Sequence, residues 1–386
     1  MAEAYIVDAF RTAGGRRRGR LAGMHPAVLA GKMLDGLVNR TSIDPSAIED
    51  VIMGCVTQAG EQAVNIGRLA VLESRLPLTI PAVTIDRQCG SSQQSLQFAA
   101  QAVMSGTQDV VIAAGVENMT RAPLGMNIPP DGGNPRTPEV LEKFGIQRFS
   151  QFDGAEMIAA KWGFTREQMD AFGLESHRRA IAATEAGAFD KEIIPVEVTL
   201  PDGTTEMHVR DEGIRYDATL DSMASLQPLA PGGSITAATS SQICDGASAA
   251  LVVSERALKD HGLTPSARIV NLTISAGDPV IMLEEPLFAT ERALKRAGMR
   301  LDDIDLYEVN EAFASVPMAW LQHHGADPSR LNVNGGAIAL GHPLGASGTK
   351  LMATLLHALH ARGKRYGLQT MCEGGGMANV TIVERL

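Results

Sequence analysis

Ile43-Asp44-Pro45-Ser46-Ala47-Ile48-Glu49-Asp50-Val51-Ile52 and Leu301-Asp302-Asp303-Ile304-Asp305-Leu306-Tyr307 are two versions of one phrase. In each, a short polar helix leads into an apolar run of strand length. The second copy follows the first at an offset of about 256 residues. Another pair keeps nearly the same spacing. A helical pattern ends at Ser105-Gly106 and a strand runs to Gly115. Further on, a helical pattern ends at Arg362-Gly363 and a strand runs to Cys372, an offset of about 257. Two elements holding nearly one offset predict an internal repeat, here of an α/β unit.

Outward from these phrases the α/β reading continues. Residues 50–55 and 109–115 are apolar runs of buried-strand type. Residues 90–105 have helical spacing, with Leu96, Ala99, Ala100, Val103 and Met104 on one side. Strands alternating with helices predict an α/β layer fold. The texture changes across residues 119–240. Pro123, Pro129-Pro130, Gly132-Gly133, Pro135 and Pro138 mark an irregular excursion. Helical patterns follow at 155–162 and 166–186, then a hairpin across 192–209 turning at Asp202-Gly203. The expected organisation is an N-terminal half of residues 1–118 with 241–265, a loop domain of 119–240 and a C-terminal half of 266–386. An insertion this long in an α/β scaffold commonly carries specificity.

Bulk composition narrows the function classes. The 386 residues suffice for two or three domains, and apolar residues make up 45% of them. No apolar run approaches the ~20 residues of a membrane span. A net charge of −10 argues against a nucleic-acid coat or a polybasic membrane anchor. Arg11, Arg16-Arg17-Arg18 and Arg20 are the local exception, either a solvated loop or an anion or subunit contact. The four cysteines, Cys55, Cys89, Cys244 and Cys372, have no metal-ligand spacing. The first strand begins at Ala4 with no signal-peptide pattern before it, and Glu384-Arg385-Leu386 is no peroxisomal address. A cytoplasmic protein without disulfides, metal or membrane insertion is expected.

Four segments carry candidate chemistry, each at the end of a predicted strand. In Asp86-Arg87-Gln88-Cys89-Gly90-Ser91-Ser92 a Cys stands just before a helix, where free N–H groups favour a thiolate. It reads as a nucleophile or as a small buried thiol. In Asn334-Gly335-Gly336-Ala337-Ile338-Ala339-Leu340-Gly341-His342-Pro343-Leu344-Gly345-Ala346-Ser347-Gly348 five glycines hold one imidazole, the side chain best able to take a proton near neutrality. Without the Gly-Lys-Ser/Thr ending, this loop is a poor match to a phosphate-binding P-loop. In Met371-Cys372-Glu373-Gly374-Gly375-Gly376 a second Cys precedes three glycines. In Val309-Asn310-Glu311-Ala312-Phe313 polar groups meet the start of a helix, where an N-cap is the plain alternative. Strand carboxyl ends are where α/β folds gather active sites.

Taken together and in this order, the four segments resemble the thiolase family over nearly the whole chain. The resemblance implies a five-layered αβαβα core of two similar halves plus a loop domain, and a homodimer or homotetramer. It implies Cys89 as covalent nucleophile, His342 as the support of its thiolate and Cys372 as the acid and base at the α-carbon. His342 and a water on Asn310 would form one oxyanion hole, and the backbone N–H groups of Cys89 and Gly374 the other. Coenzyme A and acyl-CoA enter as substrates, with no permanently bound cofactor. CoA contacts are implied for Arg215, Ser222, Ser241, Ala312 and Phe313.

Two departures stand out. Many acetoacetyl-CoA thiolases carry a His-Met-Gly element in the loop before Ala155-Glu156; here the residues are Ser150-Gln151-Phe152-Asp153-Gly154. Glu373 occupies a position that is commonly apolar. Both features are similar to degradative thiolases that accept bulky chains, which sets a longer 3-ketoacyl-CoA against acetoacetyl-CoA as substrate. A ketoacyl synthase, with a Cys and two His, fits this set less well. The reading of another class is an inactive acyl-CoA-binding protein on the same fold.

Overall fold

A computed structural model describes every residue except Met1, Pro129, Pro130 and Pro201. The Pro129-Pro130 turn signal therefore lies outside the described residues. The first half contains β1 (Ala4–Arg11), β2 (Gly15–Arg16), α1 (Pro26–Thr41), β3 (Asp50–Gly54), α2 (Ile66–Glu73), β4 (Ala82–Ile85), α3 (Ser91–Ser105) and β5 (Val110–Asn118). An excursion follows with α4 (Pro138–Lys143), α5 (Gln151–Trp162), α6 (Arg166–Glu185), the hairpin β6 (Val196–Thr199) and β7 (Thr205–His208), and α7 (Leu220–Ala224). Then come β8 (Cys244–Ser254), α8 (Glu255–Asp260), β9 (Ala267–Ala276), α9 (Glu285–Ala297), β10 (Leu306–Val309), α10 (Ser315–His324), α11 (Ala337–Leu340), α12 (Ser347–Ala361), β11 (Tyr366–Glu373) and β12 (Met377–Arg385).

The strands run in the order β10-β11-β12-β9-β1-β8-β5-β3-β4, with β2 beside β8. Only Tyr5 and Ile6 join β1 to β9, so the ribbon bends there into two layers. In one, β3 lies parallel to β4 and β5, and β8 runs antiparallel to β5 and β1. In the other, β10 is parallel to β11, and β12 is antiparallel to β11 and β9. Register makes the halves superimposable in sequence. Met53 pairs with Ala114, and Val309 with Thr370, each pair separated from the other by the offset of the quoted phrases. The short helices of those phrases are 3₁₀ turns, Pro45–Ala47 and Leu301–Asp303.

Three apolar clusters fill the spaces between layers. Leu29, Met33, Leu37 and Ile66 of α1 and α2 pack on one face of the first sheet. Leu96, Ala100 and Val103 of α3 meet Met352, Leu355 and Leu359 of α12 between the two sheets. Leu287, Ala293, Val316 and Trp320 of α9 and α10 cover the outer face of the second sheet. The result is helix, sheet, helix, sheet, helix, the αβαβα order expected.

The central helices touch without side chains between them. A Cβ on Gly348 would lie 1.9 Å from the backbone nitrogen of Gln93. A Cβ on Gly115 would lie 2.3 Å from the carbonyl oxygen of Gly345. Around this contact, Thr349 N donates to Ser92 Oγ at 3.0 Å, and Gln369 Nε2 to the Gly348 carbonyl at 2.7 Å. Because the obstructing atom at Gly348 is backbone, a methyl group there must move a helix. Gly348→Ala is expected to destabilise the protein by about 3 kcal/mol. Chemical denaturation checks this; an unchanged midpoint would show that the helices separate at little cost.

Candidate active site

The loop after β4 places the first thiol. Gln88 takes a left-handed conformation, φ 49°, uncommon for a residue with a side chain. Local bonds hold it there: Gln88 N donates to Asp86 Oδ1 at 2.7 Å, and Ser91 Oγ to the Gln88 carbonyl at 2.6 Å. Cys89 then sits immediately before Gly90, the residue capping α3. Its sulfur packs with Leu351, Met371 and Leu344, and the backbone N–H groups of Cys89 and Gly374 address it.

Cys372, near the end of β11, is fully buried and close enough to Cys89 for that thiol to oppose its ionisation. The expectation of a partly ionised Cys89 needs correction. Burial first, then the Glu373 carboxyl, push its pKa up to about 12, outweighing the two backbone N–H groups. At a helix N-terminus sealed from water, desolvation is the larger effect. Burial also pushes Cys372 well above the ordinary thiol range. Cys55 and Cys244 are likewise free and buried.

His342 stands between α11 and α12. Its backbone N–H donates to the Gln242 carbonyl at 3.1 Å. Ser347 Oγ lies 2.7 Å from the Pro343 carbonyl, which can only accept, so the Ser347 hydrogen goes there. His342 Nδ1, 2.5 Å from the same hydroxyl, therefore carries the ring hydrogen. That leaves Nε2 as acceptor toward Asn310 Nδ2 at 3.3 Å. Burial, aided by the Lys350 ammonium, lowers the His342 pKa to about 3. The site thus rests as neutral thiol and neutral base. Asn310 is not an N-cap: α10 begins at Ser315 with Ala314 as its cap. Its Oδ1 is buried without a partner among the described residues.

The residues expected to touch CoA divide. Ser241 N donates to the Ala312 carbonyl at 2.9 Å, and Ser240 bridges Phe313, so 240–241 and 312–313 form one wall. Arg215 is exposed, its backbone N–H donating to His177 Nδ1 at 3.2 Å. Ser222 is also exposed, but its hydroxyl is engaged locally, donating to the Thr219 carbonyl in the cap of α7. Among Arg16–Arg20, Arg16 and Arg20 pair with Glu212 and Glu206 of the excursion, while Arg17 and Arg18 stay exposed.

A second correction concerns residues 150–154. They are not a loop: Ser150 caps α5 and the remainder is its first turn. Ser150 Oγ accepts from Asp153 N at 3.1 Å, and Gly154 packs under the Ile281 carbonyl. Phe152 is thereby held edge-on to Phe313, ring centroids 5.6 Å apart, and stays 42% exposed.

Several positioning residues escaped the sequence reading. Gln242 ties the candidate CoA stretch to the imidazole loop, donating to the Gly213 and Ile338 carbonyls at 2.7 Å each. Glu311, quoted in a motif but given no task, gathers Ser176 Oγ, Asn332 Nδ2 and Ile338 N. Glu117 binds the N–H groups of Val56, Thr57 and Gly345. Lys350 Nζ donates to the Gly341 carbonyl at 3.0 Å. Glu117 and Lys350 gave one signal, charge inside an otherwise apolar pattern, and the uncharged Gln242 gave none. Among the described residues, no group of three or more His, Cys, Asp or Glu is arranged to hold a metal, and no helix is long and apolar enough to cross a membrane.

Comparison with known proteins bears on the same geometry. The thiolase N-terminal domain family matches residues 4–256, and the thiolase C-terminal domain family residues 263–385. Steroid 3-ketoacyl-CoA thiolase FadA6 of Mycobacterium tuberculosis is 54% identical, over 100% of this chain and 95% of its own length. A 3-ketoacyl-CoA thiolase of Psychrobacter cryohalolentis is 43% identical, covering 99% of this chain and 97% of its own. Human mitochondrial 3-ketoacyl-CoA thiolase superimposes with a TM-score of 0.91 at 35% identity, over 100% and 99% of the two chains. Bacillus anthracis acetyl-CoA acetyltransferase does so with a TM-score of 0.91 at 33% identity, with the same coverage. With both domain families matched in order on this fold, the chain belongs to the thiolase family.

Proposed function

We propose that this enzyme cleaves a bulky or long-chain 3-ketoacyl-CoA with free CoA, giving acetyl-CoA and a shortened acyl-CoA. The observation that carries the chemistry is the convergence of two buried thiols, with donors from Gly374 and Cys89 on one side and the Asn310–His342 pair in the adjoining loops. Cys89 Sγ attacks the 3-keto carbon as its proton passes to His342 Nε2, so no free thiolate need accumulate in a dry site. The new oxyanion is held by preorganised donors, each worth on the order of 3 kcal/mol. One set is the N–H groups of Cys89 and Gly374; the other is the His342 imidazole with a water bound by Asn310. As the Cα–Cβ bond breaks, Cys372 gives its proton to the carbanion of acetyl-CoA. CoA thiol next attacks the Cys89 thioester, returning a proton to Cys372, and the released Cys89 sulfur regains its own from His342.

Ser241, Ala312 and Phe313 are assigned to the pantetheine channel, and Arg215 and Ser222 to its outer, nucleotide end. Residues 119–240 are assigned as the loop domain that carries specificity, with 1–118 plus 241–265 and 266–386 as the two halves. A homo-oligomer is supported by strand β4 at a sheet edge, with Val83 43% and Val64 85% exposed. The cytoplasm is the assigned compartment.

The thiols divide their labour, and mass spectrometry with turnover assays tests it. Cys372→Ser should still be acylated on Cys89 while losing turnover by about 10²-fold or more, the scale of lost general acid–base catalysis. Loss of acylation in a folded Cys372→Ser enzyme would reverse the assignment.

The lowered His342 pKa has a sign that can be checked. The imidazole is available as a base only when neutral, and it stays neutral as pH falls through 6.5 toward about 3. The kcat/KM profile should therefore show no acid inflection near the ordinary histidine pKa of about 6.5. An inflection there would place a normally titrating His342 in the free enzyme.

Substrate choice separates this reading from an acetyl-CoA acetyltransferase, which the likeness to the Bacillus anthracis structure keeps in view. Phe152 beside Phe313 offers apolar surface, and the steroid in the FadA6 name fits a wide acyl group. Four extra buried methylenes, at about 0.8 kcal/mol each, favour a longer substrate by about 3 kcal/mol. Steady-state thiolysis should show kcat/KM about a hundredfold higher for a bulky 3-ketoacyl-CoA than for acetoacetyl-CoA. A tenfold preference for acetoacetyl-CoA would establish the acetyltransferase.

A further inference from the structure

Glu373 ends β11, directly after Cys372, and is 1% exposed. The repeat supplies its control. By the offset that aligns Met53–Ala114 with Val309–Thr370, Glu373 is the counterpart of Glu117 at the end of β5. Glu117 sits among donors, receiving the N–H groups of Val56, Thr57 and Gly345 and the amide of Gln62; burial raises its pKa, and these four bonds oppose the rise. Glu373 has no such ring. Its Oε1 is buried without a partner among the described residues and lies so near Gly90 that a Cβ there would be 1.9 Å away.

The same imaginary Cβ would be 2.8 Å from Asn379 Nδ2. Asn379, paired across the hairpin with Met371, projects from the same face as Glu373. Its Nδ2 donates to the Gly90 carbonyl at 3.1 Å, which fixes the amide's orientation and leaves Oδ1 buried and unpartnered. Two buried oxygens without a donor among the described residues, Glu373 Oε1 and Asn379 Oδ1, thus belong to side chains that share one face of the hairpin and both reach Gly90. One proton on Glu373 satisfies both.

We propose that Glu373 is a positioning residue of the thiolase reaction: as a carboxylic acid it donates to Asn379 and, through the bond from Asn379 to Gly90, locks the strand bearing Cys372 to the loop bearing Cys89. The charges facing it are Asp86 and Arg87 from the loop after β4, together with the two thiols. Every stage of thiolysis places negative charge among these groups: an oxyanion, a carbanion, a thiolate. A fixed carboxylate would oppose each of them. Burial holds the Glu373 proton well above the ordinary carboxylate range, and deprotonation at alkaline pH raises the pKa of Cys89.

This inference rests on the assignment of Cys89 and Cys372 to the reaction, so Cys89→Ala is assayed beside the test variants. Glu373→Ala should lose about tenfold or more in kcat with KM within about twofold, and Glu373→Gln should recover most of that loss near neutrality. The Glu373→Gln to wild-type ratio, for kcat/KM and for alkylation of Cys89 by iodoacetamide, should rise as pH is raised from neutrality into the alkaline range, because only the wild type acquires the charge. A ratio flat with pH, or a Glu373→Gln enzyme as poor as Glu373→Ala, overturns the proposal. Asn379→Ala is the second arm, removing the acceptor with Glu373 in place; it should lose kcat about tenfold in a folded protein, and wild-type kcat there also overturns it. Turnover retained by Cys89→Ala would instead overturn the assignment of the nucleophile.

Discussion

The contact on which this molecule depends is backbone against backbone, where the N-termini of α3 and α12 cross between the two sheets. No side chain fits between Gly348 and Gln93, or between Gly115 and Gly345. The close approach does two things at once. It lets the two halves of the five-layered molecule share one inner helical layer, and it brings the first residues of two helices to the same point. Cys89 lies just before one helix and His342 just before the other. A larger residue at either crossing would cost stability, but it would also separate Cys89 from the imidazole proposed as its base, so packing and the proposed chemistry are here one constraint.

Internal duplication explains why such a point exists. Helices α3 and α12 begin at Ser91 and Ser347, separated by the same offset as the quoted phrases. Each half brings an equivalent helix start to the centre, and the proposed mechanism gives the two starts complementary tasks. The excursion is anchored beside them by buried charge. Arg11 of β1 pairs with Glu192 at 2.6 Å and Asp211 at 2.7 Å, and Thr354 of α12 donates to the same Glu192. Desolvating such ions is costly, so this cluster contributes little net stability; what it supplies is a fixed orientation. It holds the segment around Gly213 against Gln242, and Gln242 in turn holds His342.

The parts legible in sequence were those with a local cause. Apolar period marked β5 and α3, Gly106 and Gly363 marked helix ends, and repetition marked the two halves. Cys89, His342, Cys372 and Asn310 were visible because each interrupts or follows a strand end in an unusual composition. What escaped was set by contacts distant in sequence. Nothing near Ser150 announces that a serine after an irregular stretch will cap a helix; that depends on α5 docking across Ile281. Nothing near Cys89 states how dry its surroundings are. The helix start argued for a thiolate, and the burial supplied by Leu351, Met371 and Leu344 reversed the sign.

That reversal clarifies why the site needs two thiols and one imidazole, all neutral at rest. In an exposed site a low-pKa thiol is a ready nucleophile, but it is also a ready target for oxidation and alkylation. In the proposed mechanism the proton leaves Cys89 only when a carbonyl arrives to receive the sulfur and donors are in place to receive the oxygen's charge. Reactivity is thus conditional on substrate. The same dryness that silences the thiols at rest strengthens each hydrogen bond to the developing oxyanion, because little water competes for it. Burial opposes the ground-state ion and assists the transition state, and the architecture of two packed halves is what provides burial at that depth.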